Sequence, residues 1–172
     1  MAETALICRV PEAERYISHY RQRFDPSARR NVPAHVTILY PFMAPELVDA
    51  EVLATLQRIA DSVPCFTYRM AKTQRFPVAL YLEPEPDEPF STLTDGIYRA
   101  FPDYPPFDGK FDTVVPHVTV AHGDEPLLCE IEVELRIALP GSGVTARCHE
   151  MVLIENGSGR WEQMQAFALG AP

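Results

Sequence analysis

The chain has 172 residues, 47% hydrophobic and 23% charged, an ordinary globular composition long enough for one domain or two packed lobes burying about 70% of the unfolded surface. No apolar run approaches the ~18 residues of a membrane span, and the first ten residues lack the basic-then-apolar order of a secretory signal, so a cytoplasmic protein with no membrane partner is expected. A net charge of −9 argues against coating long duplex nucleic acid.

The charge is uneven. Residues 1–86 carry 10 basic and 10 acidic side chains, whereas residues 87–172 carry 5 and 14. Attraction for a phosphate is therefore expected from the first half, where Arg29, Arg30, Arg69, Lys72 and Arg75 lie. The four cysteines, Cys8, Cys65, Cys129 and Cys148, have no CxxC spacing and read as isolated packing residues, with neither a disulfide framework nor a zinc site.

In chain order, Thr4–Val10 reads as a strand. Pro11, Glu12 and Glu14 then open a helix whose inner face is Ala13, Tyr16, Ile17, Tyr20 and Phe24. Asp25–Asn31 reads as a polar loop leading to a strand at His35–Tyr40, and Pro45–Val63 as a second helix with Val48, Val52, Leu56, Ile59 and Val63 on one stripe. Phe66–Met70 and Val78–Leu82 read as strands. Glu83–Pro89 is a stiff acidic segment that excludes a helix interior or central strand, and is taken as the crossing between two lobes. Pro89 begins a third helix with Phe90, Leu93, Ile97 and Phe101 inside, and Pro102–Phe107 is a loop before a strand at His117–Ala121. Ile131–Ala138, Val144–Cys148, Met151–Glu155 and Gln163–Leu169 read as further strands, with hairpin turns at Gly141–Gly143 and Gly157–Gly159.

Two of these strands begin with the same phrase: His35-Val36-Thr37-Ile38 and His117-Val118-Thr119-Val120, with Pro33 and Pro116 just upstream. With 5 His and 16 Ser plus Thr in the chain, roughly 0.5 matches to bare His-x-Ser/Thr arise by chance, so the short pattern alone is weak. The matched Val and the β-branched residue that follow make the doubled phrase informative. On a strand, His and Thr two apart share one face, about 7 Å along, while Val36 and Ile38 point the other way. Two imidazoles, each with a hydroxyl beside it, can move protons around a tetrahedral phosphate ester.

The segments Pro33–Phe42 and Pro116–Ala121 resemble the two-histidine phosphoesterase superfamily, specifically its 2′-5′ RNA ligase-like and cyclic-phosphodiesterase members, whose signature is a pair of His-x-Thr/Ser-x motifs about 80 residues apart; here the separation is 82. The resemblance implies an α+β fold of two pseudo-symmetric lobes, each an antiparallel sheet backed by helices, with the active-site cleft between them. Residues 1–172 would form one bilobal domain with its lobe crossing near 83–89. It implies His35 and His117 as the proton-transfer pair, Thr37 and Thr119 as phosphate-binding hydroxyls, and hydrolysis or ligation of a ribose cyclic phosphate or 2′-5′ phosphodiester with no metal and no cofactor. Many relatives carry Arg or Lys shortly after the second motif, where this chain has His122 and Gly123; His122 or an arginine of the first lobe is expected in its place.

The expected substrate is a small nucleotide or RNA end, and the expected state a monomer. Which histidine is base and which acid is open at the level of sequence. Phe42 and Phe76 are candidates to stack on a base or sugar, although a lone Phe beside a strand is more often core. A metal-dependent hydrolase built on His35, His117, His122 and an aspartate is the weaker reading, since no HExxH or motif-strand carboxylate is present. The remaining alternative is a non-catalytic nucleotide or RNA-end binding module with the same cleft.

Overall fold

In the computed structural model, which describes residues 1–172, the β-branched runs become one eight-stranded sheet. Its strands are β1 (Thr4–Arg9), β2 (His35–Leu39), β3 (Phe66–Phe76), β4 (Ala79–Glu85), β5 (Val118–His122), β6 (Val144–Cys148), β7 (Glu150–Glu155) and β8 (Glu162–Ala168). They lie in the order β6-β3-β4-β5-β2-β1-β7-β8, every neighbouring pair antiparallel. The helices are α1 (Glu14–Phe24), α2 (Pro26–Arg29), α3 (Ala50–Asp61), α4 (Glu88–Ala100) and α5 (Glu125–Ala138). None is long and apolar enough to cross a membrane.

The fold is α+β with two four-stranded halves. The motif strands β2 and β5 are the innermost strand of each half, and they meet through one registered pair, Val36 opposite Val118. Each motif strand ends the same supersecondary unit, strand–helix–antiparallel strand: β1-α1-β2 and β4-α4-β5. The helices pack across the junction, α1 against β5 and α4 against β2, which ties the halves together behind the motifs.

The expected crossing at 83–89 is corrected by this topology. Glu83–Glu85 completes β4, and the chain continues through α4 to β5 in the same half. The crossings are instead the α3 connection from β2 to β3 and the step from β6 to β7 at His149, so both termini belong to the β2 half. Pro84 is tolerated in β4 because pairing with β5 stops at Leu82, leaving the next residues bonded on one side alone, as at a sheet edge.

The helix ends follow local chemistry. Asp25 caps α2 by accepting from the Ser27 backbone N–H, Asp49 caps α3 through Val52 N–H, and Asp124 caps α5 through Leu127 N–H. α5 replaces the strand expected at Ile131–Ala138. Its buried residues Leu128, Ile131 and Leu135 recur at helical spacing, and the Asp124 cap with Pro126 in the first turn marks its start. The Gly141–Gly143 turn accordingly joins a helix to a strand, whereas Gly157–Gly159 does close the β7–β8 hairpin.

One sheet face packs on the helices in a core of 36 buried residues that includes Val36, Ile38, Val118 and Val120 from the motif strands. Alternation sends their neighbours to the other, open face. There a second cluster of six residues, Ala5, Ile7, Val32, Val152, Ile154 and Trp161, covers only the β1–β7 side. At about 25 cal/mol per Å² such burial is the dominant stabilising term for these strands and fixes which face each histidine occupies.

Candidate active site

Val36 and Val118 point into the core and stand opposite each other, so the residues flanking them face the open side as a second set of pairs. Continuing the antiparallel register puts His35 opposite Thr119 and Thr37 opposite His117. Directly opposed Cβ atoms lie roughly 5 Å apart and diagonal ones roughly 7–8 Å. The two imidazoles therefore occupy one diagonal of a four-residue square and the two hydroxyls the other. All four residues are half-buried.

Both rings are held alike. His35 Nδ1 lies 2.8 Å from the Pro33 carbonyl and His117 Nδ1 lies 2.7 Å from the Val115 carbonyl. A carbonyl oxygen can only accept, so each Nδ1 carries its proton and each Nε2 is left to face the site. Burial pushes the His35 imidazole down to about 4, helped by the Arg21 guanidinium and the His117 ring and opposed by its Pro33 bond and Asp25. Burial also holds His117 below its ordinary value, against its Val115 bond and with help from His122. In the free protein both rings are neutral near pH 7.

The flanks of this square differ. Beside His117, Phe76 stacks on Tyr81 at 4.5 Å and 28°, and both lie edge-to-face with the His117 ring at 5.0 and 5.4 Å. The structure thus places Phe76 beside His117. Tyr81 was missed, because only the β4–β5 register, which sets Tyr81 opposite Thr119, brings it there. Phe42 is corrected: it is buried in the core against Phe101 and Tyr104, each 5.3 Å away, where it packs with the apolar cluster behind the motif strands.

Beside His35, a cavity of about 230 Å³ is walled by Ala5, Ile7, Val32, Ile154, Tyr40 and Trp161, with Pro26, Ser27 and Arg30 at one side and His35 and Thr37 at the other. Behind it Arg21 and Asp25, each 3% exposed, form a buried ion pair with two contacts of 3.0 Å, and Ser27 donates to the other Asp25 oxygen. His122 does not reach this cavity; its ring sits 4.0 Å from Asp25. Of the expected cations, Arg75 is committed to Glu125 and Glu132 on α5, whereas Arg30 lines the cavity. Arg9 stands opposite His35 in the β1–β2 ladder, but its guanidinium turns to Gln163 and Glu150. Nowhere do three His, Cys, Asp or Glu side chains converge as metal ligation would require.

The 2′-5′ RNA ligase superfamily matches residues 10–160. A Bacillus pumilus protein named "Putative phosphoesterase" is 33% identical over 158 residues, covering 88% of this chain and 87% of the relative. A similarly named protein of Geobacillus kaustophilus is 29% identical over 90% of this chain and 88% of its own length. Among solved structures, E. coli LigT complexed with 3′-AMP has a TM-score of 0.62 at 18% identity, covering 97% of both chains. TT0787 of Thermus thermophilus has a TM-score of 0.61 at 16% identity, covering 98% of both. These structural likenesses speak to the fold.

Proposed function

Because the chain belongs to the 2′-5′ RNA ligase superfamily, we propose that it is a metal-independent phosphoesterase acting on a ribose cyclic phosphate or 2′-5′ phosphodiester of a small nucleotide or RNA end. The whole of residues 1–172 acts as one bilobal unit, with the reaction centred on His35, His117, Thr37 and Thr119. The carrying observation is the square itself: two imidazoles on one diagonal, both tethered at Nδ1, and two hydroxyls on the other. The relatives named as phosphoesterases, and the LigT structure complexed with 3′-AMP, support that reading.

The phosphate sits between the diagonals. Thr37 and Thr119 donate to its non-bridging oxygens, and the imidazoles flank the phosphorus. Water attacks phosphorus; its proton goes to the Nε2 of the base, the bond to one ribose oxygen breaks, and the Nε2 proton of the acid goes to that oxygen. The two rings end with protonation exchanged, and solvent resets them. His35, held neutral by burial and the Arg21 charge, is the base in this direction. His117 is the acid, charged once the substrate's negative phosphate sits beside it and offsets its burial. Ligation is the same step with a ribose hydroxyl in place of water. Phe76 and Tyr81 offer the acid side an aromatic shelf for a sugar or base.

The test is turnover of nucleoside 2′,3′-cyclic phosphates and a 2′-5′-linked dinucleotide with EDTA present. His35→Ala and His117→Ala each lower kcat by about 10²–10⁴ with folding retained. A folded His35→Ala or His117→Ala protein with near-full activity refutes the paired mechanism. Binding of these nucleotides without any turnover by wild type moves the assignment to a nucleotide-binding module.

A further inference from the structure

We propose that the cavity beside His35 is a second anion subsite, in which Arg30 grips a phosphate carried on O5′ of the same ribose whose 2′,3′-phosphate is opened. This rests on the phosphoesterase reading above and narrows its substrate class to 5′-phosphorylated ends.

The cavity shares one wall with the reaction site, His35 and Thr37, but neither His117 nor Thr119 lines it. Its occupant is therefore a part of the substrate other than the phosphate that both motifs share. Its walls are apolar, Ile7, Ile154, Tyr40 and Trp161, and Arg30 is its one cation. In a chain with 24 acidic residues, the other arginines near the site are engaged: Arg21 with Asp25, Arg9 with Glu150 and Gln163, Arg75 with Glu125 and Glu132. The Arg30 side chain is exposed and within ion-pair distance of no carboxylate. Arg29, Arg69 and Lys72 do not line the cavity.

The backbone fixes Arg30 at the rim. Its N–H donates to the Ser27 carbonyl at 3.1 Å, and its carbonyl accepts from the Trp161 N–H at 2.8 Å. The next residue, Asn31, sits at φ +75 and donates its side-chain amide to the Trp161 carbonyl at 2.9 Å. Arg30 and Trp161, both lining the cavity, are thereby anchored together. Glu3 accepts from the Tyr40 hydroxyl at 2.9 Å and makes no ion pair with Arg30. A planar guanidinium free of carboxylates beside an apolar wall suits a phosphate on a sugar. An RNA end with a terminal cyclic phosphate carries such a group on its last O5′; a bare nucleoside cyclic phosphate does not.

The experiment compares adenosine 2′,3′-cyclic phosphate with its 5′-phosphorylated form and with a dinucleotide ending in a cyclic phosphate, on wild type, Arg30→Ala and Arg30→Lys. In wild type the 5′-phosphate raises kcat/KM by about 10–100-fold. In Arg30→Ala the ratio of phosphorylated to bare substrate falls toward one, and Arg30→Lys keeps part of it. The dinucleotide separates sources: a gain equal to that of the monoester identifies an RNA end, a smaller one a free 5′-phosphate. The same pair of nucleotides is titrated calorimetrically into His35→Ala with and without Arg30→Ala, which reads the subsite whether or not turnover occurs. Turnover of both substrates with a ratio near one, or a ratio unmoved by Arg30→Ala, overturns the subsite and leaves the phosphoesterase standing. Arg30-dependent binding of the 5′-phosphate without turnover does the reverse.

Discussion

Replacing His35 by Gln should flatten the acid side of the protein's stability curve. In the unfolded chain the imidazole titrates near 6.5; in the fold, burial and Arg21 bring it to about 4. A histidine with a lowered folded value stabilises the native state fully above about 6.5, and that contribution is lost as pH falls toward 4. For these two values the linkage between pH 7 and pH 5 comes to about 2 kcal/mol. Solvent reaches the half-buried residue through the cavity mouth and screens part of this, so the expected loss is about 1–2 kcal/mol. The assay is urea unfolding of wild type and His35→Gln at pH 7 and pH 5. Groups other than His35 contribute alike to both proteins, so the difference between the two pH-induced losses isolates the ring. Wild type should lose 1–2 kcal/mol more than the variant. Equal losses in the two proteins would refute the account of an imidazole held neutral by burial and the Arg21 charge.

Asp25→Asn leaves the buried Arg21 guanidinium without its partner and should cost about 3–5 kcal/mol by urea unfolding, while removing a charge that holds the His35 value up, so that His35 titrates lower still by NMR. Nitrogen-15 shifts at neutral pH should show both motif histidines as Nδ1–H tautomers, in accord with the Pro33 and Val115 carbonyls; an Nε2–H form at either ring contradicts the tether. Thr37→Ala and Thr119→Ala should each lower kcat by about 10–100-fold, less than the histidine variants, since each removes one hydrogen bond to a charged oxygen. The pH profile of kcat/KM should reach its maximum between about 4, set by His35 as base, and a second value below 6.5 set by His117 as acid, and fall as pH rises beyond it. A maximum above pH 7 contradicts that assignment.

What the sequence made legible was the local structure. Alternation at His35–Leu39 and Val118–His122 put imidazole and hydroxyl on one face and two aliphatics on the other, and the burial of Val36, Ile38, Val118 and Val120 follows that alternation. Heptad-like spacing gave α1, α3 and α4. α5 was misread because Ile131, Val133, Leu135 and Ile137 also alternate, and the β-branched residues Val133 and Ile137 fit a strand equally well. The Asp124 cap and Pro126 outweigh them, leaving Val133 and Ile137 exposed on the helix surface. The crossing at 83–89 was misplaced for a different reason. Two similar sequence halves suggest two halves in space, yet β7 and β8 return to pair beside β1, a contact between the ends of the chain that no local signal records.

The same division runs through the site. Each motif supplies its own imidazole, hydroxyl and tethering carbonyl within five residues, so the imidazole and hydroxyl were readable from two short phrases. The asymmetric part is assembled across the chain: Trp161 is brought to Arg30 by a hydrogen bond spanning 131 positions, and Tyr81 to His117 by strand register. Since the paired rings and hydroxyls are near copies of each other, they cannot by themselves decide which ring accepts a proton or which side of the substrate lies where. Those choices fall to groups on one side only: Arg21 against His35, the Phe76–Tyr81 stack against His117, and the Arg30 cavity beyond Thr37. A chain could keep both motifs intact and, by exchanging these one-sided residues, change its substrate while retaining the chemistry.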